Sequence, residues 1–567
     1  MAANSRQCET EGETAYSMKD IWKDKIFLLL VISVLLLIAM LSYPFAPDQT
    51  IFAVGGDLIF TKGALPYRDF LEAKPPLIFY IYGFAQWIFG HHEWSIRALD
   101  ILYHIICYFF FYRLVVETFK SKRVAIVSLL VYTIFYTAGG YWGSAQTESF
   151  ALLPSLLLAN VLLHFEKKSL NEKGALVLPG FFIGFGSIIL FLLKFTLVFS
   201  FFGCIFFLLF FSKQTSRNRI SLIISSTLCL FLFVGLFFVY LYSSHSLDNF
   251  FIMLNYLRNY ADIRPALSLE TIKNSYYQNF PAALFIYLTP AMLCLAIYGL
   301  YAVKKQISAI PLSENNPLLH FFKIALSILS FGLISILFER KNYNYQFLRI
   351  SWCIAPFIAF AVVDLIKRFD DKEWEKRIIL QRQFIRKVFP FILLFFILLF
   401  YSPLPRIIYH PIHWVWLTVT NNDSEKDTIL KHDTYDVAQI KKVTSYISHR
   451  SQPQDEVFLW GNSVGVYFFL NKLPPTICLA NGQFIPSWPP TSWRDTVIKQ
   501  LRESAPRYFI IELNDAQPLI TGNTMGSYEY LLHWEALYSY LNDNYKDLII
   551  IGNFKIYEKI GQKTHPI

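Results

Sequence analysis

Apolar runs long enough to cross a bilayer recur along most of this chain. A spanning helix needs about 20 apolar residues. Candidates fall at 26–43, 96–117, 123–138, 149–165, 176–192, 196–211, 220–243, 281–302, 318–338, 346–366 and 388–404. Eleven such runs predict an α-helical polytopic membrane protein. Of 567 residues, 54% are hydrophobic and 16% charged, against about 25% charged in soluble domains. A soluble enzyme, a disordered chain, collagen and a coiled coil are therefore excluded. Five of the seven Cys (Cys107, Cys204, Cys229, Cys294 and Cys353) lie in apolar runs, so neither a disulfide framework nor a Cys-rich metal site is expected. The 26–43 run follows a polar stretch, 1–25, without a small-residue cleavage pattern. It reads as an uncleaved anchor.

Charge sets the sidedness. One further apolar run, 77–89, is too short to span comfortably. If it does not span, the segments 1–25, 118–123, 166–174, 212–219, 303–316 and 367–388 share one side and carry 23 Lys and Arg. The opposite segments, 44–76, 139–147, 193–195, 244–280 and 339–345, carry 9. The rich side is expected to be cytoplasmic. A spanning 77–89 would reverse every later loop and put the basic 367–388 loop outside. It therefore reads as a helix lying in or against the outer interface. The N-terminus is then cytoplasmic and residues 405–567 lie outside.

Those last residues hold 15 Lys and Arg against 16 Asp and Glu, so the formal net charge of +10 belongs to the membrane part. No basic soluble face suggests nucleic acid. Short buried strands are predicted at 457–460, 508–511 and 548–551, with amphipathic helices at 434–448, 492–504 and 527–542. This is a small α/β domain, with helices covering a sheet. The expected layout is a tail (1–25), a membrane domain (26–404) whose first outer loop (44–95) is the chemical one, and an outer α/β domain (405–567). It contains no GxGxxG, P-loop or nucleophile elbow, and the chain has no internal repeat.

Charges at a membrane surface are costly and mark function. The richest outer segment runs Tyr43-Pro-Phe-Ala-Pro-Asp48-Gln49, then a helical stretch closed by Gly63, then Leu65-Pro66-Tyr67-Arg68-Asp69-Phe-Leu-Glu72-Ala-Lys74-Pro75-Pro76. Ile51, Val54, Leu58 and Ile59 fall on one helical face, with Asp48 at the N-terminus, where an acid favours the dipole. The plain reading of Asp48 is an N-cap. The plain reading of Lys74 and Lys194 is snorkelling to headgroups, and that of Arg97 is an anchor for the next span. Glu148 could be an ordinary helix-start acid. Arg340 and Lys341 run against the positive-inside bias. His91-His92-Glu93 does not form a metal site, because adjacent His cannot share a helical face.

The order Asp48, Gly63, Pro66-Tyr67-Arg68-Asp69, Lys74-Pro75-Pro76 resembles the first outer loop of GT-C glycosyltransferases. The branch is the bacterial one related to protein O-mannosyltransferases and the aminoarabinose transferase of lipid A. Looser matches follow at Ser95-Ile96-Arg97, Gln146-Thr147-Glu148, Lys194-Phe195-Thr196, Arg340-Lys341 with Tyr343, and Leu459-Trp460-Gly461. Many relatives carry Asp-Glu where this chain has Asp48-Gln49.

The resemblance implies a GT-C-like fold in a bacterial cytoplasmic membrane. It implies a glycosyltransferase that moves a sugar from a polyprenyl-phosphate donor to a hydroxyl of a glycolipid, polysaccharide or protein. Asp48, Asp69 and Glu148 would then be the catalytic carboxylates, Asp48 first as base. Lys74, Lys194, Arg340 and Lys341 would hold the phosphate. Tyr67, Arg68, Arg97 and Tyr343 would contact substrate. The chemistry requires no cofactor, and the missing second acid leaves a divalent cation open. The rival readings are a transporter or flippase of lipid-linked glycans, which would show repeats and midplane charges, and a surface-polysaccharide polymerase or ligase.

Overall fold

The computed structural model describes residues 18–167, 176–263, 283–284, 287–309, 316–369, 404–432 and 435–561. The predicted tail up to residue 17, the 370–388 loop, all but the last residue of the 388–404 span, and Arg264 lie outside them. Helices occupy the other ten predicted spans: Met18–Ala39, Glu93–Phe119, Lys122–Thr137, Leu152–Lys167, Val177–Leu193, Phe199–Phe210, Ser216–Ser243, Pro290–Ala309, Pro317–Glu339 and Leu348–Phe369. Among the described residues, five helices are individually long and apolar enough to cross a membrane, and the bent pair Phe27–Ser42 and Pro47–Lys62 adds a sixth if read as one span. Val177–Leu193 and Phe195–Phe210 are apolar but shorter. Phe231, Leu232, Leu236 and Val239 on the Ser216–Ser243 helix are exposed, as a lipid-facing surface requires.

The chain turns by 74° between the first helix and Pro47–Lys62. Pro44 and Pro47 account for the break, since each lacks an N–H and Pro disfavours helical geometry in the residue before it. Pro47–Lys62 stops at Gly63, which adopts φ 65°, a conformation that glycine enters without Cβ strain. Asp48 is not the N-cap. Ala46 holds that position, and its N–H donates to Gln49 Oε1 at 2.9 Å. Asp48 sits one residue into the helix, still in the first turn.

The predicted interfacial helix is Leu77–Phe89. Its 13 residues rise only about 20 Å. It crosses Pro47–Lys62 where Gly56 meets Gly83, and a Cβ on Gly56 would stand 2.4 Å from the Gly83 nitrogen. That approach locks the two helices of the first outer loop together. Trp87 and Ile88 at its C-terminal end are exposed.

The tail folds into a four-stranded sheet. Val457–Trp460 pairs parallel with Tyr508–Glu512, which pairs antiparallel with Phe554–Lys559, and Tyr545–Ile551 closes the other edge. The fourth strand, Phe554–Lys559, was not among the predicted ones. Its signal was the Gly552-Asn553 turn, with Gly552 at φ 55°, a two-residue hairpin connection. The predicted 527–542 helix is two helices, Ser527–His533 and Glu535–Asn544, divided at Trp534.

Glu512 ends the second strand fully buried, accepting from the N–H groups of Asn462 (2.9 Å) and Ser463 (3.0 Å) and from Ser463 Oγ (2.7 Å). Burial, and then the charge of Asp515, push its carboxyl up to about 8 from 4.5. Between those values the folded tail binds more protons than the unfolded chain, so stability falls as pH rises through that window. Thermal unfolding followed by tryptophan fluorescence should show this decline between about pH 4.5 and about pH 8. Glu512→Gln should flatten it.

Candidate functional site

Glu148, Lys194, Glu339 and Arg349 lie far apart in sequence and meet at one end of the bundle. Lys194 Nζ reaches Glu148 Oε1 at 2.8 Å and Glu339 Oε2 at 2.7 Å. Arg349 Nη2 reaches Glu148 Oε1 and Glu339 Oε1, both at 2.7 Å. Each charge therefore has two opposite neighbours in a closed ring of net charge zero. The ring is largely buried: the side chains of Glu148, Arg349, Glu339 and Lys194 are 0%, 4%, 9% and 15% exposed. Charges can be buried this way only when fully paired. Thr147 Oγ1 adds a hydrogen bond to Glu148 at 2.7 Å, and Thr196 donates to Glu339.

The Glu93–Phe119 helix sets the position of Glu148. Arg97, Asp100 and Tyr103, spaced i, i+3, i+6, fall on one face. Arg97 donates to Ser144 Oγ at 2.5 Å, Ser149 Oγ donates to Asp100 Oδ1 at 2.6 Å, and Tyr103 OH donates to the Phe150 carbonyl at 2.5 Å. The segment carrying Glu148 is thus held on both sides. Arg97 is 1% exposed and also binds Pro44 O (3.0 Å) and Gln49 Oε1 (2.6 Å).

Gln49 uses both ends of its amide. Its Oε1 accepts from Arg97 and Ala46, while its Nε2 donates to the carbonyls of Tyr141 and Ser144, both at 2.7 Å. A carboxylate cannot donate, so Glu there would face two carbonyls unpaired. No set of three or more His, Cys, Asp or Glu able to hold a metal is present among the described residues. His91 and His92 diverge, the first on Asp57 at 3.0 Å and the second stacked on Trp94.

Asp48 and Lys74 form a different kind of pair. Lys74 Nζ lies 3.2 Å from Asp48 Oδ2, and both side chains are partly exposed, 23% and 31%. The ammonium also sits 4.9 Å above the Phe52 ring. Burial alone would lower the Lys74 pKa, but Asp48 and Glu72, with Glu148 beyond them, raise it above the ordinary value. Lys74 thus stays cationic. Tyr67 fixes its backbone: at φ 67°, a strained setting for a non-glycine residue, its hydroxyl donates to the Lys74 carbonyl at 2.8 Å. Glu72 is buried and accepts from Gln483 Nε2 at 2.9 Å. Burial raises its pKa, partly offset by Lys74.

The other candidates are placed as follows. Asp69 is clamped by Arg68 (2.8 and 2.7 Å) and the Leu65 N–H (2.7 Å). Its burial favours the acid, but these donors outweigh it and lower the pKa. Tyr67 is buried against Phe250. Arg340 pairs with exposed Asp262. Lys341 donates to the carbonyls of Ile263 (3.2 Å) and Leu519 (3.0 Å) and faces the Tyr260 ring at 4.1 Å. Burial lowers it to about 8. The Tyr343 hydroxyl is 3.5 Å from that of Tyr260 and lies in the field of Asp48 and Lys74. The structure therefore gathers Asp48, Lys74, Tyr343, Glu148 and Lys194 into one neighbourhood. Arg68 and Asp69 pair with each other, and Arg97 is enclosed by backbone and Gln49. Arg349, Glu339, Glu72 and Gln483 had not been singled out. The signal for Arg349 was a basic residue near the start of the 346–366 apolar run, which holds one other charge, Asp364.

The two charge systems should respond differently to substitution. Glu148→Ala leaves two buried cations on one carboxylate and should cost about 3–5 kcal/mol, visible as loss of the monodisperse peak in detergent. Asp48→Asn breaks a partly solvated pair and should change thermal stability by no more than about 1 kcal/mol.

A family model described as dolichyl-phosphate-mannose-protein mannosyltransferase matches residues 73–238, which carry Lys74, Glu148 and Lys194. Among solved structures, ArnT from Cupriavidus metallidurans bound to undecaprenyl phosphate is 14% identical, with 96% of this chain and 100% of that one covered and a TM-score of 0.56. The apo form of that protein gives 12% identity, 97% and 100% coverage, and a TM-score of 0.57. A comparison with curated proteins finds no match. The chain is a polytopic membrane protein of the GT-C fold, similar to the protein mannosyltransferase branch over residues 73–238.

Proposed function

We propose that this protein is a glycosyltransferase working at the outer face of the cytoplasmic membrane, which moves a sugar from a polyprenyl-phosphate donor to a hydroxyl on a glycolipid, polysaccharide or protein. The observation that carries the reading is the Asp48–Lys74 pair, partly exposed beside a closed, neutral ring of buried charges. ArnT, whose fold this chain shares, binds undecaprenyl phosphate. The excess of Lys and Arg on the opposite loops supports an outward-facing site and tail.

The chemistry follows from the pair. A donor phosphate entering beside Lys74 competes with Asp48 for the ammonium. When Lys74 turns to the phosphate, Asp48 loses its counter-ion and becomes available as a base. Asp48 takes the proton of the acceptor hydroxyl as that oxygen attacks the anomeric carbon. The bond from that carbon to the phosphate oxygen breaks, and its electron pair leaves on the lipid phosphate. Lys74 stabilises the charge that develops there. The leaving group is already a weak base, so no second carboxylic acid is needed. Glu148 and Lys194 are engaged with each other and with Arg349 and Glu339. In this reading the ring is the rigid wall against which the pair works.

The test is transfer by purified protein in liposomes, from radiolabelled polyprenyl-phosphate sugars to a membrane extract. Wild type should transfer label. Asp48→Asn should lower the rate by about 100-fold or more while keeping its thermal stability. Lys74→Met should chiefly raise the donor KM. Lipid flipping without transfer by wild type would overturn the proposal in favour of transport.

A further inference from the structure

The soluble tail touches two outer segments, the first outer loop and the Leu247–Asp262 helix. The Leu71 N–H donates to the Ile477 carbonyl at 3.2 Å, Tyr256 OH to the Gly482 carbonyl at 3.1 Å, and Trp493 Nε1 to Asn249 Oδ1 at 2.9 Å. One contact differs in kind. Gln483 Nε2 donates to Glu72 Oε2 at 2.9 Å, with both side chains more than nine-tenths buried. Glu72 is one of the acids whose field holds Lys74 above the ordinary lysine value.

Gln483 is delivered by a rigid arm. It closes the short Asn481–Gln483 helical turn. Asn481 is fully buried, its N–H on the Gly461 carbonyl at 3.2 Å and its amide on Ser527 Oγ. A Cβ on Gly482 would come within 3.3 Å of Asn462 Oδ1. Asn462 is in turn tied to Glu512 and Asp515, at 2.9 and 3.2 Å. The turn is therefore built into the tail's own core, and its position is inherited by Glu72.

Resting on the proposed function, we infer that Gln483 is a positioning residue of the site: its amide keeps Glu72 in place as the second negative partner of Lys74, so that the tail completes the site. A buried carboxylate that loses its hydrogen-bond donor takes up a proton instead. With Glu72 neutral, Lys74 has Asp48 as its near anionic partner and closes onto it. The base is then held by the ammonium it should release. The tail thus acts on the reaction through one side chain, without contacting the reacting atoms.

Two readouts test this, one independent of transfer. Acetylation of the Lys74 amine is followed by mass spectrometry at about pH 9, normalised to exposed lysines of the same molecule. Loss of one negative neighbour lowers the Lys74 pKa, so Gln483→Ala should speed labelling about threefold. Glu72→Gln should do the same, and the double variant should add nothing, as expected for residues acting in series. Trp493→Phe, which breaks a docking contact only, should leave the rate unchanged. In transfer assays Gln483→Ala should lower kcat by about tenfold, with donor KM within about twofold. Gln483→Met, of similar size and without a donor, should repeat the loss if the Ala variant folds poorly. Unchanged Lys74 labelling in Gln483→Ala and Gln483→Met, additive effects in the double variant, or a Trp493→Phe profile identical to Gln483→Ala would overturn the inference. Altered labelling in a protein that transfers no sugar would instead retain the coupling and sink the proposed function.

Discussion

The rest of the structure depends on one closed ring of charge. Glu148, Lys194, Glu339 and Arg349 sit at the ends of the Thr147–Lys167, Val177–Leu193, Pro317–Glu339 and Asn344–Arg368 segments. No member of this ring could be buried alone in a low-dielectric interior. Each is tolerated because two opposite charges lie within 2.8 Å. The ring therefore fixes the relative positions of helices whose apolar surfaces would allow many packings.

The Asp48–Lys74 pair is the counterpart that the ring makes useful. It has one contact at 3.2 Å and roughly a quarter to a third of each side chain in solvent. The Lys74 ammonium has one carboxylate contact, whereas Lys194 is held between two. The strained backbone of Tyr67 and the Gly56–Gly83 crossing keep that looser pair from wandering.

Much of this was legible in the residues. Gly63 marked the end of the first outer helix, charge counting kept 77–89 out of the span list, and the neighbourhood of Asp48, Lys74, Glu148, Lys194 and Tyr343 emerged from segments that looked unrelated. What stayed hidden has physical causes. Asp48 read as a cap because Pro47 can open a helix, while the true cap residue, Ala46, has no side chain to announce it. Gln49 read as a missing acid because three of its four hydrogen-bond partners, Arg97, Tyr141 and Ser144, come from two other segments. Arg349 was lost among apolar neighbours, and its reason for being there lies 201 residues away at Glu148. Gln483 could not be read at all, since pairing with Glu72 depends on how the tail docks.

The central claim is that Lys74 is the cation that accepts a lipid phosphate, while Lys194 is held by the ring. Equilibrium binding of fluorescent undecaprenyl phosphate to purified protein in detergent addresses it directly, with wild type beside Lys74→Met and a charge-preserving Lys74→Arg. The account predicts saturable binding to wild type, a loss of about tenfold or more in Lys74→Met, and substantial retention in Lys74→Arg. Binding that is equally tight in Lys74→Met and wild type would contradict it.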